Sequence, residues 1–204
     1  MNRLHKELLA TIIKENNESP FVTKHNTNYE GHSDKSYRLS NAQLRKLAKA
    51  WLKKHIDLNF DNFVQLLNSL YENGQSSSEK YIAGFIIEYS PKYRKYIEPK
   101  LLNSWLNNLT GWAQVDSLCQ SKFDWRDLLS NWRQWKDLLK KLNKSKNINK
   151  RRASLVLLIK PVRNSNSKKL TDTAIQNIEN VKEEKDISIT KATSWLLRAM
   201  IKKS

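Results

Sequence analysis

The scarcity of glycine and proline is the feature that most constrains how this chain can fold. Each occurs only four times in 204 residues. Hairpin-rich folds need many residues that accept a positive φ, whereas helices joined by short polar loops need little of either residue. Because 39% of the residues are apolar, the chain is also able to bury a sizeable core. The sequence therefore predicts an all-α protein.

Apolar residues recur at helical spacing along most of the chain. Ser40 has the character of an N-cap, and the residues after it place an apolar stripe on one face of a helix: Leu44, Leu47, Ala48 and Trp51. The segment from 16 to 39 is rich in polar residues without helical period, which indicates a long ordered loop. Further helices are predicted at 4–14, 58–71 and 78–89, and one opens at Pro91.

Four later segments resemble one another: EKYIAGFIIEY, GWAQVDSLC, NKRRASLVLLIK and TKATSWLLRAMIKK. With Ala83, Asp116, Ala153 and Ala192 as register points, they lie about 33, 37 and 39 residues apart, in the range of helical-pair repeats. We therefore expect one repeat domain over residues 1–204, with an N-terminal helix and loop over 1–39 and helical repeats over 40–204. Stacked repeats form a solenoid whose equivalent helices line a concave groove.

Positive charge predominates in the chain. The net charge is +17 and the sequence pI is near 9.9, which favours a polyanionic partner such as nucleic acid. The stretch 140–169 contains no acidic residue, as a surface dedicated to phosphate binding would require. A general enrichment in lysine over every exposed surface is the alternative interpretation.

Other functional classes find little support in the sequence. A single cysteine, Cys119, cannot form an internal disulfide and has the pattern of a buried apolar residue. No apolar run is long enough to span a membrane, so we expect a cytoplasmic protein without membrane contact. We expect no metal, because the four histidines show no metal-ligand spacing: His5, His25, His32 and His55. We also expect no cofactor, and the sequence has no glycine-rich phosphate loop.

Trp112 and Asp116 raise a question, because they place an indole and a carboxylate one helical turn apart in a very basic chain. If the repeats stack, both would lie on a helix equivalent to those of Arg152 and Trp195. Arginine suits a phosphate, with Lys150 and Arg151 beside it, and indole rings suit a cationic base. The alternative for the tryptophans is core packing, which we expect for five others: Trp51, Trp105, Trp125, Trp132 and Trp135. Trp125 and Trp132 are seven residues apart, the spacing of one helix face.

A carboxylate inside a DNA-binding groove is useful when the substrate carries positive charge. Cleavage of the glycosidic bond to an alkylated purine develops positive charge on the deoxyribose, and a carboxylate stabilises that transition state and orients water. A base that is already cationic leaves without a general acid, so one carboxylate is sufficient.

The sequence resembles the DNA alkylation repair proteins with HEAT-like helical repeats, the AlkD-like DNA glycosylases. The resemblance covers most of the chain and includes W-x-x-x-D at Trp112 and Asp116, R-R-A from Arg151, and K-A-x-x-W-x-x-R from Lys191 to Arg198. It departs from the family at Gly111, near which relatives often carry a second aromatic. It also departs at Asn149 and Lys150, where relatives place an aromatic ahead of the arginine motif.

The resemblance implies a glycosylase that excises N3- and N7-alkylpurines from duplex DNA without flipping the base. We expect a monomer, because the groove must admit duplex DNA. The resemblance assigns Asp116 to the sugar cation and water, and it assigns Trp112 and Trp195 to packing around the lesion. Arg152 would contact the DNA backbone, and Arg198 would have a structural or phosphate-binding role. Two other functions stay open: a non-catalytic nucleic-acid-binding module and a protein-interaction scaffold.

Overall fold

The computed structural model describes residues 1–19, 34–120 and 122–201 of the chain. Within these ranges the protein is helical and contains no β-strand, and one isolated β-bridge joins Lys35 to Ser76. The prediction of an all-α protein is confirmed. Because 20–33 fall outside the described residues, the predicted loop at 16–39 stays a prediction over most of its length.

Twelve α-helices form in the described ranges, with a 3-10 turn at Leu106–Asn108. They are α1 (Arg3–Glu18), α2 (Asn41–Lys54), α3 (Phe60–Asn73), α4 (Ser77–Glu88), α5 (Pro91–Arg94), α6 (Pro99–Trp105), α7 (Gly111–Cys119), α8 (Trp125–Ser130), α9 (Trp132–Asn143), α10 (Ile148–Arg163), α11 (Lys168–Glu179) and α12 (Ile187–Ile201).

The helix starts follow local capping chemistry. Ser40 accepts a hydrogen bond from the N–H of Gln43, whose side chain accepts one from the N–H of Ser40. This reciprocal capping box satisfies two N–H groups at the start of α2, and the predicted apolar stripe of α2 is buried. Helix α1 runs to Glu18, beyond the predicted end near 14, and Asn16 in its last turn accepts a hydrogen bond from the N–H of Arg38.

The tryptophans only partly follow the prediction of core packing. Trp51, Trp105 and Trp135 are buried, whereas Trp125 and Trp132 are half-buried. The latter two do not share one helix face, because they open two successive helices, α8 and α9. Between these two helices, the backbone of Asn131 leaves helical geometry, with φ −135° and ψ 51°.

The chain divides into two compact units. Unit 1 consists of Met1–Ile97 and Asn108–Leu118, and unit 2 of Glu98–Asn107 and Cys119–Ser204. In each unit one helix is buried on nearly all sides: α4 from Ser77 to Ile87, and α10 from Arg152 to Ile159. Such helices serve as the centre around which amphipathic helices pack their apolar faces. In unit 1, α2 and α3 pack on α4; in unit 2, α9, α11 and α12 pack on α10.

The four register points of the proposed repeat all lie in helices: α4, α7, α10 and α12. In unit 2, α10 packs along α12. In unit 1, α4 approaches α7 at Gly84, where an added Cβ would lie 2.3 Å from the carbonyl oxygen of Ser117 and 2.7 Å from its Oγ. This approach leaves no room for a side chain at Gly84. The HEAT-like solenoid and the single repeat domain stay predictions.

A buried polar network joins α1, α3 and α4 in unit 1. His5 Nε2 lies 2.7 Å from Glu79 Oε1, and its Nδ1 lies 2.9 Å from Ser69 Oγ. The second carboxylate oxygen of Glu79 accepts hydrogen bonds from Ser76 Oγ and from the N–H of Gln75. Burial alone would raise the pKa of Glu79, but the hydrogen bonds from His5 and Ser76, with the charge of His5, lower this pKa below its ordinary value.

We expect Glu79→Gln to lower the free energy of unfolding by about 1–3 kcal/mol at neutral pH, because it replaces a buried carboxylate that accepts hydrogen bonds from Ser76 Oγ and the N–H of Gln75 and contacts His5. The folded pKa of Glu79 is depressed, so its stabilisation is fully present above the unfolded value, near 4.5, and is lost as the pH falls through the folded value. Urea denaturation at pH 7 and at progressively lower pH measures both effects.

The matched control is Glu98→Gln, which removes an exposed carboxylate paired with Lys100. This control should change stability by less than about 0.5 kcal/mol. Equal stability of the two variants at neutral pH would contradict the role given to Glu79.

We expect Gly84→Ala to destabilise unit 1 by about 1–3 kcal/mol, because the new methyl group meets the backbone of α7. Thermal unfolding measures the loss. Ser117→Ala in the Gly84→Ala background should recover little stability, because the nearest atom to the new methyl group is a backbone oxygen. At an uncrowded helical position the same change would stabilise by up to about 1 kcal/mol. A rise in the melting temperature would therefore contradict the close approach.

Candidate functional site

Trp112 and Asp116 lie one turn apart on α7, as the sequence predicts. The side chain of Asp116 is buried, with 9% of the residue's surface exposed, while Trp112 is half-buried. A carboxylate with so little exposure acts on nearby charge through a lower effective dielectric than it would in water. The pair therefore combines an accessible indole with a shielded acidic group.

The start of α7 depends on a glycine. Gly111 has a φ of 68°, in the left-handed region that side chains other than glycine adopt only with strain. A second aromatic residue at 111, ahead of Trp112, would carry that strain. Gly111 therefore suits the backbone conformation at which α7 begins.

A polar cluster around Asp34 holds the first turn of α7 against α4. Asp34 Oδ2 accepts hydrogen bonds from Lys80 Nζ at 2.7 Å and from Gln114 Nε2 at 2.8 Å. Thr110 donates its hydroxyl to Asp34 Oδ1, and its N–H donates to Gln114 Oε1. Burial would raise the pKa of Asp34, but these hydrogen bonds and the charge of Lys80 lower it below its ordinary value. Asp34 therefore stays ionised and anchors the helix that carries Trp112 and Asp116.

The predicted DNA-contacting residues Lys150 and Arg152 lie on α10 in unit 2, where both have partners within the protein. Arg152 is buried, with 4% exposed, and its guanidinium donates to the carbonyl oxygen of Ser188 in the first turn of α12. Lys150 donates to Asn103 Oδ1 at 3.0 Å. Burial, with the charge of Lys141 as a second cause, lowers the pKa of Lys150.

Arg151 also serves the structure of unit 2. Its guanidinium donates to the carbonyl oxygens of Ser145 and Lys146 at 2.7 and 2.9 Å, and it forms an ion pair with Glu184 at 2.7 Å. These contacts tie the start of α10 to the loop before it and to the segment before α12. The R-R-A motif thus has a clear structural function in the described residues, and its contact with DNA stays a prediction.

Trp195 lies between two cations on α12. Lys191, Trp195 and Arg198 follow one another at steps of four and three residues, so they share one helix face. Trp195 is half-buried, and Lys191 and Arg198 are exposed. This face offers an indole flanked by positive charge.

The predicted residues form two groups, one in each unit. Trp112 and Asp116 lie together on α7 in unit 1, whereas five residues belong to unit 2: Lys150, Arg151, Arg152, Trp195 and Arg198. The residues that position α7, namely Asp34, Gly84 and Gln114, were not found from the sequence. No local spacing indicates them, since their contacts span 33 to 80 residues of chain.

The remaining polar candidates have structural partners. Cys119 is buried, as predicted. His5 belongs to the Glu79 network, and His55 stacks on Trp51 with 3.8 Å between ring centroids. His25 and His32 lie outside the described residues. Among the described residues, no group of three potential ligands is arranged to hold a metal ion, and no helix has the length and apolarity to cross a membrane.

Comparison with known proteins gives the family. No curated protein matches the sequence. A family model described as DNA alkylation repair enzyme matches residues 14–204, which is nearly the whole chain and includes α7, α10 and α12. The resemblance found in the motifs is thereby confirmed, and the chain belongs to the DNA alkylation repair enzyme family.

Proposed function

We propose that this protein is a DNA glycosylase that hydrolyses the N-glycosidic bond of N3- or N7-alkylated purines in duplex DNA. The observation that carries the proposal is the pairing of Trp112 with the buried carboxylate of Asp116 on one face of α7, in a member of a DNA alkylation repair family. The net charge of +17 supports DNA as the partner, because a polyanion offsets the self-repulsion of so basic a chain.

The proposed reaction begins with cleavage of the bond between the sugar C1′ and the purine nitrogen. The bonding electron pair stays with the base, so a cationic alkylpurine leaves as a neutral molecule and the deoxyribose becomes an oxocarbenium-like cation. The Asp116 carboxylate stabilises this cation and accepts a proton from the water that attacks C1′. The products are the free base and an abasic site in the DNA.

The aromatic residues have a binding role in this proposal. The half-buried ring of Trp112 offers a face to the cationic base or the sugar. Among aromatic side chains, tryptophan gives the strongest cation–π attraction. Trp195, on its own helix in unit 2, has the same chemistry between Lys191 and Arg198. Contact with the sugar favours the transition state over the ground state, because positive charge grows there as the bond breaks. Contact with the base contributes to binding, because the base loses its positive charge as it leaves.

The DNA backbone contacts are assigned to cations of unit 2. Arg198 is exposed and available to a phosphate, while Lys150, Arg151 and Arg152 combine the predicted contact with the internal hydrogen bonds described above. The reaction uses water and one carboxylate, and we propose that it proceeds in a cytoplasmic monomer without metal or cofactor. A concave basic groove of HEAT-like repeats would hold the duplex.

We expect Asp116→Asn to lower the rate of base release by about 100- to 1,000-fold, because the amide neither neutralises the sugar cation nor accepts a proton. Affinity for the duplex should be unchanged or slightly higher, since an anion has been removed from a polyanion-binding protein. Release of N7-methylguanine from a duplex and the appearance of alkali-labile sites measure the reaction under single-turnover conditions.

Asp172→Asn is the matched control, because Asp172 is an exposed carboxylate on α11 in unit 2. It should retain the activity of the native protein. Full activity of the Asp116→Asn variant would remove Asp116 from the mechanism. If the native protein binds duplexes bearing N3- and N7-alkylpurines and releases neither base, the non-catalytic DNA-binding module replaces the glycosylase.

A further inference from the structure

Helix α9 carries a row of four basic side chains on one face. Arg133, Lys136, Lys140 and the C-capping Lys144 follow one another at steps of three, four and four residues. At 100° per residue they lie within about 80° of one another around the helix axis. All four are exposed. We call this row the α9 stripe.

Among the residues that the structure describes, the stripe has no charge partner. No ion pair or side-chain hydrogen bond joins any of the four cations to another residue of the described chain. The contrast with α10 is clear, because Arg151 is bound by Glu184 and two carbonyl oxygens and Arg152 by Ser188. The basic residues that the sequence motif emphasises thus have internal partners, whereas those of the α9 stripe have none in the described ranges.

The stability of α9 does not explain all of the stripe. Cations are favourable in the last turn of a helix, where Lys140 lies, but unfavourable in the first turn, where Arg133 lies. The first turn of α9 contains no acidic residue to offset Arg133. Asp137, one turn after Arg133, lies on the same face, and four cations against this one carboxylate leave the face strongly positive, as a polyanion-binding surface requires.

The opposite face of α9 holds the stripe in place. It buries Trp135, Leu138, Leu139 and Leu142 in unit 2, and Trp135 packs against Phe123 with 5.0 Å between ring centroids. An anchored apolar face keeps the helix from rotating, so the stripe is presented to solvent in a fixed orientation.

We propose that the α9 stripe binds the sugar–phosphate backbone of duplex DNA. The four cations span about 16 Å along the helix, at 1.5 Å per residue. A duplex of that length carries about five phosphates on each strand, at 3.4 Å per phosphate. A straight row of cations about one turn apart is therefore complementary to one strand of the backbone in both charge and length.

This inference rests on DNA being the partner in the proposed function, but not on the chemistry at Asp116. It also changes which residues are expected to contact phosphate. The sequence placed the basic surface at 140–169, whereas the α9 stripe begins before that segment, at Arg133, and uses only its first residues. The stripe would set the position of the protein on DNA without reading its sequence.

The test compares two variants that lose the same charge. The stripe variant carries Arg133→Gln, Lys136→Gln and Lys140→Gln. The control variant carries Arg3→Gln, Lys6→Gln and Lys14→Gln on α1, a helix that also contains three glutamates. Binding of an undamaged 20-base-pair duplex is measured by fluorescence anisotropy over a series of salt concentrations, and thermal unfolding checks that both variants remain folded.

We expect the stripe variant to reduce the slope of log K against log salt by two to three, because each lost phosphate contact contributes about 0.9. The control variant should change the slope by less than one. Both should unfold near the temperature of the native protein, since the replaced side chains are exposed.

If the two variants change the slope equally while the native protein binds DNA and releases base, the stripe assignment is overturned and the glycosylase stands. If the native protein binds neither the undamaged duplex nor a duplex that contains N7-methylguanine, both proposals are overturned. Tighter binding to an acidic protein than to DNA would then favour the scaffold interpretation.

Discussion

The structure depends on one helix in each unit that is buried on nearly all sides over most of its length. Helices α4 and α10 expose almost no side chain from Ser77 to Ile87 and from Arg152 to Ile159. Polar residues at such positions must find partners, since an unpaired buried polar group costs more than its hydrogen bond contributes. Glu79 and Lys80 of α4 are paired with His5 and Asp34. In unit 2 the corresponding pairs link α10 to α9 and α11 through Asn143, Ser154 and Asn177.

These buried contacts also place the candidate functional helices. Lys80 forms an ion pair with Asp34, which accepts a hydrogen bond from Gln114 in α7. The absence of a side chain at Gly84 allows the backbone of α7 to approach α4 at Ser117. Because Trp112 and Asp116 belong to α7, these contacts also fix the positions of both residues. In unit 2, Arg152 performs a comparable task for α12 by binding the carbonyl oxygen of Ser188. The residues nearest to the proposed chemistry are thus supported by interactions that are themselves structural.

The basic residues divide into two classes by what surrounds them. Arg151 and Arg152 satisfy carbonyl oxygens and a carboxylate within unit 2, so they lose much of the freedom that a surface cation has. The four cations of the α9 stripe keep that freedom and remain solvated. Counterion release contributes more to DNA affinity for the solvated cations, because their contact with phosphate requires no internal hydrogen bond or ion pair to break. A count of Lys and Arg along the sequence does not separate the classes.

The sequence by itself determined the helical class, the capping of α2 by Ser40, the family, and the placement of Trp112 and Asp116 on one helix face. Each depends on composition, on motifs or on residues within a turn of one another, where helical geometry leaves little choice. Only the tertiary structure decided that Arg152 is buried, that Trp125 and Trp132 open separate helices, and that Asp34 anchors α7. Burial and long-range pairing depend on which helices pack together, and residues 80 positions apart carry no local pattern that shows it.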